Sequence, residues 1–312
     1  MRILASIDVG SNTVRLLAAG VEDGRVVKEV LNLRATTRLG EGLAHGRRLK
    51  PEAIKRTLTV LKDYRERLKA AGVKDISAVA TEALRRASDA GKFIELVNEE
   101  TDIEIEVITG EEEARRTLIG IKAGLKDIAG PGPKLLIDIG GGSTELTYTT
   151  DWEDYQAVSL PLGAVSLYEA FLMDDPPKSS EIIELETACF KGLKPLKGLL
   201  PAGVRPVLIG TAGTITTLAA LDMAMADYDP ARVTGHKMSR ETVARLLMRL
   251  AGLSNENRRL LAGIEPGRED IILSGTALLG TIMDVAGAGH ILVSDSGLRE
   301  GNLLHFFAKK GY

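Results

Sequence analysis

Three short glycine-bearing stretches, each directly behind an apolar run, are the parts of this chain best suited to chemistry. They are Asp8-Val9-Gly10-Ser11-Asn12-Thr13, Asp138-Ile139-Gly140-Gly141-Gly142-Ser143-Thr144 and Gly210-Thr211-Ala212-Gly213-Thr214. Glycine has no side chain, so successive backbone N–H groups can converge on an anion. Ser11, Thr13, Ser143 and Thr144 add hydroxyl donors. The third stretch stands at an expected helix start, where the helix dipole also favours an anion. Any one alone could be no more than a tight turn. Three with the same design point to phosphate. A P-loop is excluded because no Gly-Lys-Ser or Gly-Lys-Thr occurs. A Rossmann turn fails on context, since Gly140-Gly141-Gly142-Ser143 leads into a strand rather than a helix.

Carboxylates stand beside these cradles. Asp8 and Asp138 each end a strand just before a glycine turn, and Glu145 follows the second turn. Negative groups next to a phosphate would repel it unless a cation lies between, and Mg²⁺ or another hard divalent ion is the expected one. The alternative is an aspartate that accepts N–H bonds inside its own turn. Hydrolysis of a phosphoanhydride also needs a group to orient water and take its proton. Glu113, the last of the run Glu111-Glu112-Glu113, is the candidate, although such a run also suits a helix start facing water. Arg85 and Arg86, with Arg15, Arg38 and Arg299, offer guanidinium forks for phosphate oxygens or, alternatively, ordinary surface charge. His45, His236, His290 and His305 show no metal-ligand spacing. Cys189, the single cysteine, excludes an intramolecular disulfide and reads as a buried apolar residue.

The elements that must position these groups alternate between strands and helices, which argues an α/β class. Strands are expected over 2–7, 14–19, 25–33, 75–80, 103–108, 134–137, 145–150, 205–209 and 290–293. Helices are expected from Lys50 to Gly72, over 89–100, 111–125 and 270–285, and from Gly297 to about Lys309. A turn is expected at Thr81-Glu82-Ala83-Leu84, and a lobe boundary near Gly130-Pro131-Gly132-Pro133. The first two glycine stretches then form a weak internal repeat, one per lobe, able to face each other across a cleft.

With 312 residues the chain suits two domains. A net charge of −3 argues against non-specific binding to nucleic acid, and no apolar run approaches the ~20 residues that cross a bilayer. Asp8 and Gly10 interrupt the first apolar run too early for a signal peptide, so a cytoplasmic protein is expected.

Taken in order, these motifs resemble the exopolyphosphatase and guanosine pentaphosphate phosphatase family of the actin-like superfamily. The resemblance runs almost end to end. It includes Asp8 to Thr13 with Arg15-Leu16, Arg38-Leu39-Gly40-Glu41-Gly42-Leu43, Ala80-Thr81-Glu82-Ala83-Leu84-Arg85 and Gly110-Glu111-Glu112-Glu113-Ala114. Asp138 to Glu145, Gly210 to Thr214 and Ser296-Gly297-Leu298-Arg299-Glu300-Gly301 complete it. It implies a duplicated actin-like (ribonuclease H-like) fold with two lobes around a central cleft. Lobe I would span 1–126, with helix 298–312 packed back on it, and lobe II 127–297. It implies Glu113 as catalytic base, Gly10-Ser11-Asn12 and Gly140-Gly141-Gly142-Ser143 as phosphate turns, Asp138 and Glu145 as metal-linked acids, and Arg85 as a phosphate ligand. The implied substrates are inorganic polyphosphate or a guanosine penta- or tetraphosphate, and the implied assembly is a homodimer. Longer members carry further helical domains. This chain resembles the short two-lobed form, which offers less channel to hold a polymer. A kinase of the same superfamily and a sensor that binds guanosine tetra- or pentaphosphate without turnover remain the alternatives.

Overall fold

The run Leu4 to Val9 is buried along its whole length, as a central strand covered on both faces must be. It opens a computed structural model that describes residues 1–125 and 127–312. The elements, in chain order, begin with β1 (Arg2–Val9), β2 (Thr13–Glu22), β3 (Arg25–Thr36), α1 (Pro51–Ala70), β4 (Asp75–Ala80), α2 (Glu82–Arg86), α3 (Ala90–Thr101), β5 (Ile105–Val107) and α4 (Gly110–Leu125). They continue with β6 (Lys134–Ile139), β7 (Thr144–Thr149), β8 (Tyr155–Leu160), α5 (Ala164–Phe171), α6 (Ser179–Gly192), α7 (Lys194–Leu199), β9 (Val207–Thr211) and α8 (Ala212–Asp222). The last are α9 (Pro230–Val233), β10 (Lys237–Ser239), α10 (Arg240–Ala251), α11 (Asn255–Arg259), α12 (Ile272–Val285), β11 (His290–Val293) and α13 (Leu298–Lys309).

The chain divides into two compact units, Met1–Ala123 with Gly297–Tyr312, and Gly124–Ser296. The boundary expected at residue 126 lies outside the described residues. The first unit holds a five-stranded sheet in the order β3-β2-β1-β4-β5, and the second a six-stranded sheet in the order β10-β11-β9-β6-β7-β8. Read from its other edge, the second sheet repeats the first. β8, β7, β6, β9 and β11 stand where β3, β2, β1, β4 and β5 stand, and β10 is an addition at the edge. The register repeats too: β1 and β2 pair Val9 with Val14, and β6 and β7 pair Ile139 with Thr144. Both hairpins close with the same bond, Gly10 N–H to Thr13 O (3.1 Å) and Gly140 N–H to Ser143 O (3.0 Å).

Each sheet has its own core. In the first unit Ile7 and Leu16 pack with Leu61 of α1 and Phe93 of α3 on one face. On the other face Leu4 and Leu17 pack with Leu303 and Phe307 of α13. That helix reaches its seat through two glycines. A Cβ at Gly120 of α4 would stand 1.9 Å from the Gly297 carbonyl, and one at Gly301 would stand 1.6 Å from the Arg116 carbonyl. In the second unit Ile137, Leu146 and Leu208 pack with Ile215 of α8 and Leu278 of α12. Cys189 is buried there, and burial pushes its thiol up to about 12. Among the described residues no helix is long and apolar enough to cross a membrane.

The segment read as a turn at 81–84 is instead the start of helix α2. The strand expected over 103–108 shortens to Ile105–Val107, because Asp102 (φ 57°) is still turning the chain out of α3. Asp138 and Ile139 belong to β6 itself rather than to the turn that follows.

Candidate active site

In the first unit, the ends of three parallel strands bring separate motifs to one edge of the sheet. Val9 pairs with Ala80, and Ala80 with Val107, so β1, β4 and β5 finish side by side. Beyond β1 comes the Gly10–Asn12 turn, beyond β4 comes α2 with Arg85, and beyond β5 comes α4 with Glu113. The carboxyl ends of parallel strands are where α/β sheets hold their ligands. The turn is braced from behind. The Asn12 carbonyl accepts from Thr37 N–H (3.0 Å) and Arg38 N–H (2.9 Å), and the Ser11 carbonyl accepts from Gly40 N–H (2.8 Å). Gly40 must be glycine here, because a Cβ would stand 2.8 Å from that of Ser11. Asn12 is buried, and its Oδ1 has no hydrogen-bond partner. Such a group costs stability unless a ligand or water meets it.

The three successive glutamates separate by environment. Glu111 is exposed and Glu113 is buried. Glu112, between them, turns to Arg115 (2.7 Å) and Arg116 (2.6 Å). The Arg115 hydrogen bond, opposed by burial and helped by Arg116, holds the Glu112 carboxyl down at about 2. Thr109 fixes the start of α4, since its hydroxyl accepts from Glu112 N–H and its carbonyl from Glu113 N–H. Glu113 Oε2 is 2.7 Å from Arg85 Nη1. The same guanidinium donates to the Ile108 carbonyl (3.0 Å) and, through Nε and Nη2, to Glu82 Oε2 (3.2 and 3.0 Å). Arg85 is therefore a bridge between two carboxylates, with only 17% of its side chain exposed. Its fork fixes where the Glu113 carboxylate points.

In the second unit, β6 and β9 end side by side, with Asp138 opposite Thr211. Backbone bonds hold the Gly140–Ser143 turn: Gly140 O accepts from Ala164 N–H (2.9 Å), and Gly141 O from Val165 N–H (2.8 Å). The Thr144 hydroxyl is spent on the Leu162 carbonyl (2.6 Å). Across the hairpin Asp138 faces Glu145, both buried, and Ser159 Oγ donates to Glu145 Oε1 (2.7 Å). Cross-strand neighbours share one face of a sheet, and like charges there are destabilising. The equivalent pair in the first unit is Asp8 and Arg15, of opposite sign. The case for a cation is therefore carried by Asp138 and Glu145. Among the described residues no group of three His, Cys, Asp or Glu could hold a metal ion. Two carboxylates suit Mg²⁺, which usually takes one or two protein carboxylates and completes its shell with phosphate and water.

The third glycine motif starts α8 as expected. Thr211 ends β9, with its hydroxyl on the Ser296 carbonyl (3.0 Å), and Gly210 O accepts from Ser294 N–H (2.8 Å). The buried Arg268 lies directly over Gly213, whose Cβ would come within 2.2 Å of its Cζ. Its Nε donates to Glu265 (2.7 Å). A guanidinium at the positive end of a helix is suited to an anion. Arg299 is engaged by Glu300 and by Asn32 of β3. Sequence reasoning missed Glu82, Ser159, Glu265 and Arg268. Only Glu82 left a signal, its (i, i+3) spacing from Arg85 on a short helix.

The model of the Ppx/GppA phosphatase family matches residues 18–310. Exopolyphosphatase 2 of Mycobacterium tuberculosis is 32% identical over 311 residues, covering 96% of each chain. The crystal structure of the Aquifex aeolicus Ppx/GppA family member is 33% identical, with a TM-score of 0.82 over all of both chains. An exopolyphosphatase from Cytophaga hutchinsonii is 26% identical, with a TM-score of 0.90 over 99% of this chain and 98% of its own. The two matched sheets are those of the actin-like α/β fold. This chain belongs to the Ppx/GppA phosphatase family and is a hydrolase of that kind.

Proposed function

We propose that this protein is an exopolyphosphatase that hydrolyses the terminal phosphoanhydride of inorganic polyphosphate, of guanosine pentaphosphate, or of both. The observation that carries the reading is the buried Glu113 carboxylate, aimed by Arg85 at the strand edge that also bears the Gly10–Asn12 turn. Glu113 accepts a proton from water as the water oxygen attacks the terminal phosphorus. The P–O bond to the bridging oxygen breaks, and the chain shortened by one phosphate leaves with that electron pair.

Arg85 acts first as a positioning residue. It holds Glu113 in one rotamer, and Glu82 keeps its fork from swinging away. In the first unit the N–H groups and hydroxyls of the Gly10–Asn12 turn suit phosphate oxygens; in the second, the Gly140–Ser143 turn and the start of α8 with Arg268 do the same. Asp138 and Glu145 would hold Mg²⁺, which when bound would neutralise phosphate charge. The site recognises a phosphoanhydride end, and both substrates present one.

The test is phosphate release from long-chain polyphosphate and from guanosine pentaphosphate, run in parallel with and without Mg²⁺. Release from at least one, dependent on the ion, is expected. Release from neither, with intact guanosine pentaphosphate still bound, would replace the hydrolase reading with that of a sensor.

A further inference from the structure

The second unit carries a further cavity, about 450 Å³, within the range that small-molecule ligands occupy. Its position separates it from the glycine turns. Val207 and His290, which line it, open β9 and β11, whereas the phosphate motif at Thr211 lies at the other end of β9. Three cationic or titratable side chains line it, Arg205, Lys237 and His290, and no carboxylate does. Arg205 and Lys237 make no hydrogen bond or ion pair among the described residues. His290 is within electrostatic reach of Glu241, at the start of α10. In a chain of net charge −3, Arg205 and Lys237, gathered in a lining that holds no carboxylate, concentrate anions locally.

Two further features suit a ligand. Ile128 and Val207, 58% and 39% exposed, give the cavity an apolar wall. Gly289, also in the lining, has neither a left-handed backbone nor a crowded Cβ position, and a Cβ there would meet nothing within 4 Å. Neither backbone conformation nor packing requires glycine at 289. A side chain there would project into open space, and its absence leaves backbone accessible to a bound group.

We propose that this cavity is a second anion site, built for an oligophosphate group, either inorganic or carried on a nucleoside. Arg205, Lys237 and His290 bind the phosphates, and Ile128 with Val207 shelters a base when one is present. The site is independent of the hydrolytic reading, because it shares no residue with the glycine turns.

The test is calorimetric titration with two hydrolysis-resistant probes, β,γ-methylene-ATP and methylene-bridged tripolyphosphate. The chains compared are the wild type, Arg205→Ala, Lys237→Ala, Gly289→Val and Ile128→Ser. Wild type should show two classes of site. Each cation removed should weaken one class about tenfold or more, as expected for a lost charge-assisted phosphate contact. Gly289→Val should abolish that class by filling the cavity. Melting temperature and phosphate release from a saturating short substrate should not change in Arg205→Ala or Lys237→Ala. Weaker binding of only the nucleoside probe in Ile128→Ser identifies a nucleoside oligophosphate as the ligand, and equal binding of both probes identifies the inorganic group. A single class of site, untouched by Arg205→Ala, Lys237→Ala and Gly289→Val, would overturn the proposal.

Discussion

Replacing Arg85 by alanine should damage stability and rate together, through one cause. The guanidinium makes four hydrogen bonds, to Glu113, Ile108 and twice to Glu82. Both partner side chains are well covered, 14% and 8% exposed. Removing one member of a buried pair leaves uncompensated charge and costs about 3–5 kcal/mol. Partial exposure of the three groups favours the lower end, about 3 kcal/mol. For a unit near 150 residues that lowers the melting temperature by roughly 6–12 °C. The rate should fall about 10²-fold, because a base that is no longer aimed loses most of what proton transfer contributes. Arg85→Lys should recover part of the stability but little of the rate, since a single ammonium cannot bridge Glu82 and Glu113 as a planar fork does. Calorimetry and phosphate release on the same samples measure both effects. If Arg85 acts through Glu113, the rate losses of Arg85→Ala and Glu113→Gln should not add in the double variant. Fully additive losses, or a melting temperature within 1 °C of wild type, would refute the bridge.

Three further outcomes follow from other parts of the molecule. Gly301→Ala should destabilise by about 3 kcal/mol or more, seen as an earlier urea transition, because its methyl would lie on the Arg116 carbonyl and push α13 off α4. Arg115→Ala should cost about 0.5–1 kcal/mol at neutral pH, since the pair is partly exposed and screened. The Glu112 carboxyl lies at about 2 in the folded chain against an ordinary 4.5, so its contribution is present above 4.5 and is lost as pH falls toward 2. Urea unfolding across that window should show the gap between variant and wild type closing, and a gap unchanged at pH 2 would contradict the assignment. Asp138→Asn should raise the Mg²⁺ concentration needed for half-maximal phosphate release, whereas a purely structural Asp138 would lower stability and leave the Mg²⁺ requirement unchanged.

Much of this architecture was legible because local rules and tertiary demands agree. Pro51 and Gly72 bracket α1, with Pro51 at its first residue and Gly72 left-handed (φ 70°) just past its end. β4 and β11 coincide with their apolar runs. The hairpin turns at Gly10 and Gly140 could be read because each needs glycine for a reason local in sequence, a Cβ standing 3.1 Å from the Thr13 carbonyl and 3.2 Å from the Ser143 carbonyl. Three kinds of feature were not legible. Helix α2 holds only five residues, too few for a periodic pattern, and Ala83 and Leu84 are helical because they are buried beneath the strand edge. Arg268 reaches Gly213 from a loop 55 positions later, and nothing in Gly267-Arg268-Glu269 marks that partner. The division of labour among Glu111, Glu112 and Glu113 depends on which side of α4 meets Arg85 and which meets Arg115, and that is decided by packing.

Glu113 is proposed to take the proton from the attacking water. The most direct test is Glu113→Gln, nearly the same shape and able to keep one hydrogen bond from Arg85, assayed for phosphate release from polyphosphate under saturating Mg²⁺ and substrate. A loss of roughly two or more orders of magnitude in kcat is expected, with substrate binding retained and the fold intact by calorimetry. A folded variant that releases phosphate at the wild-type rate would contradict it.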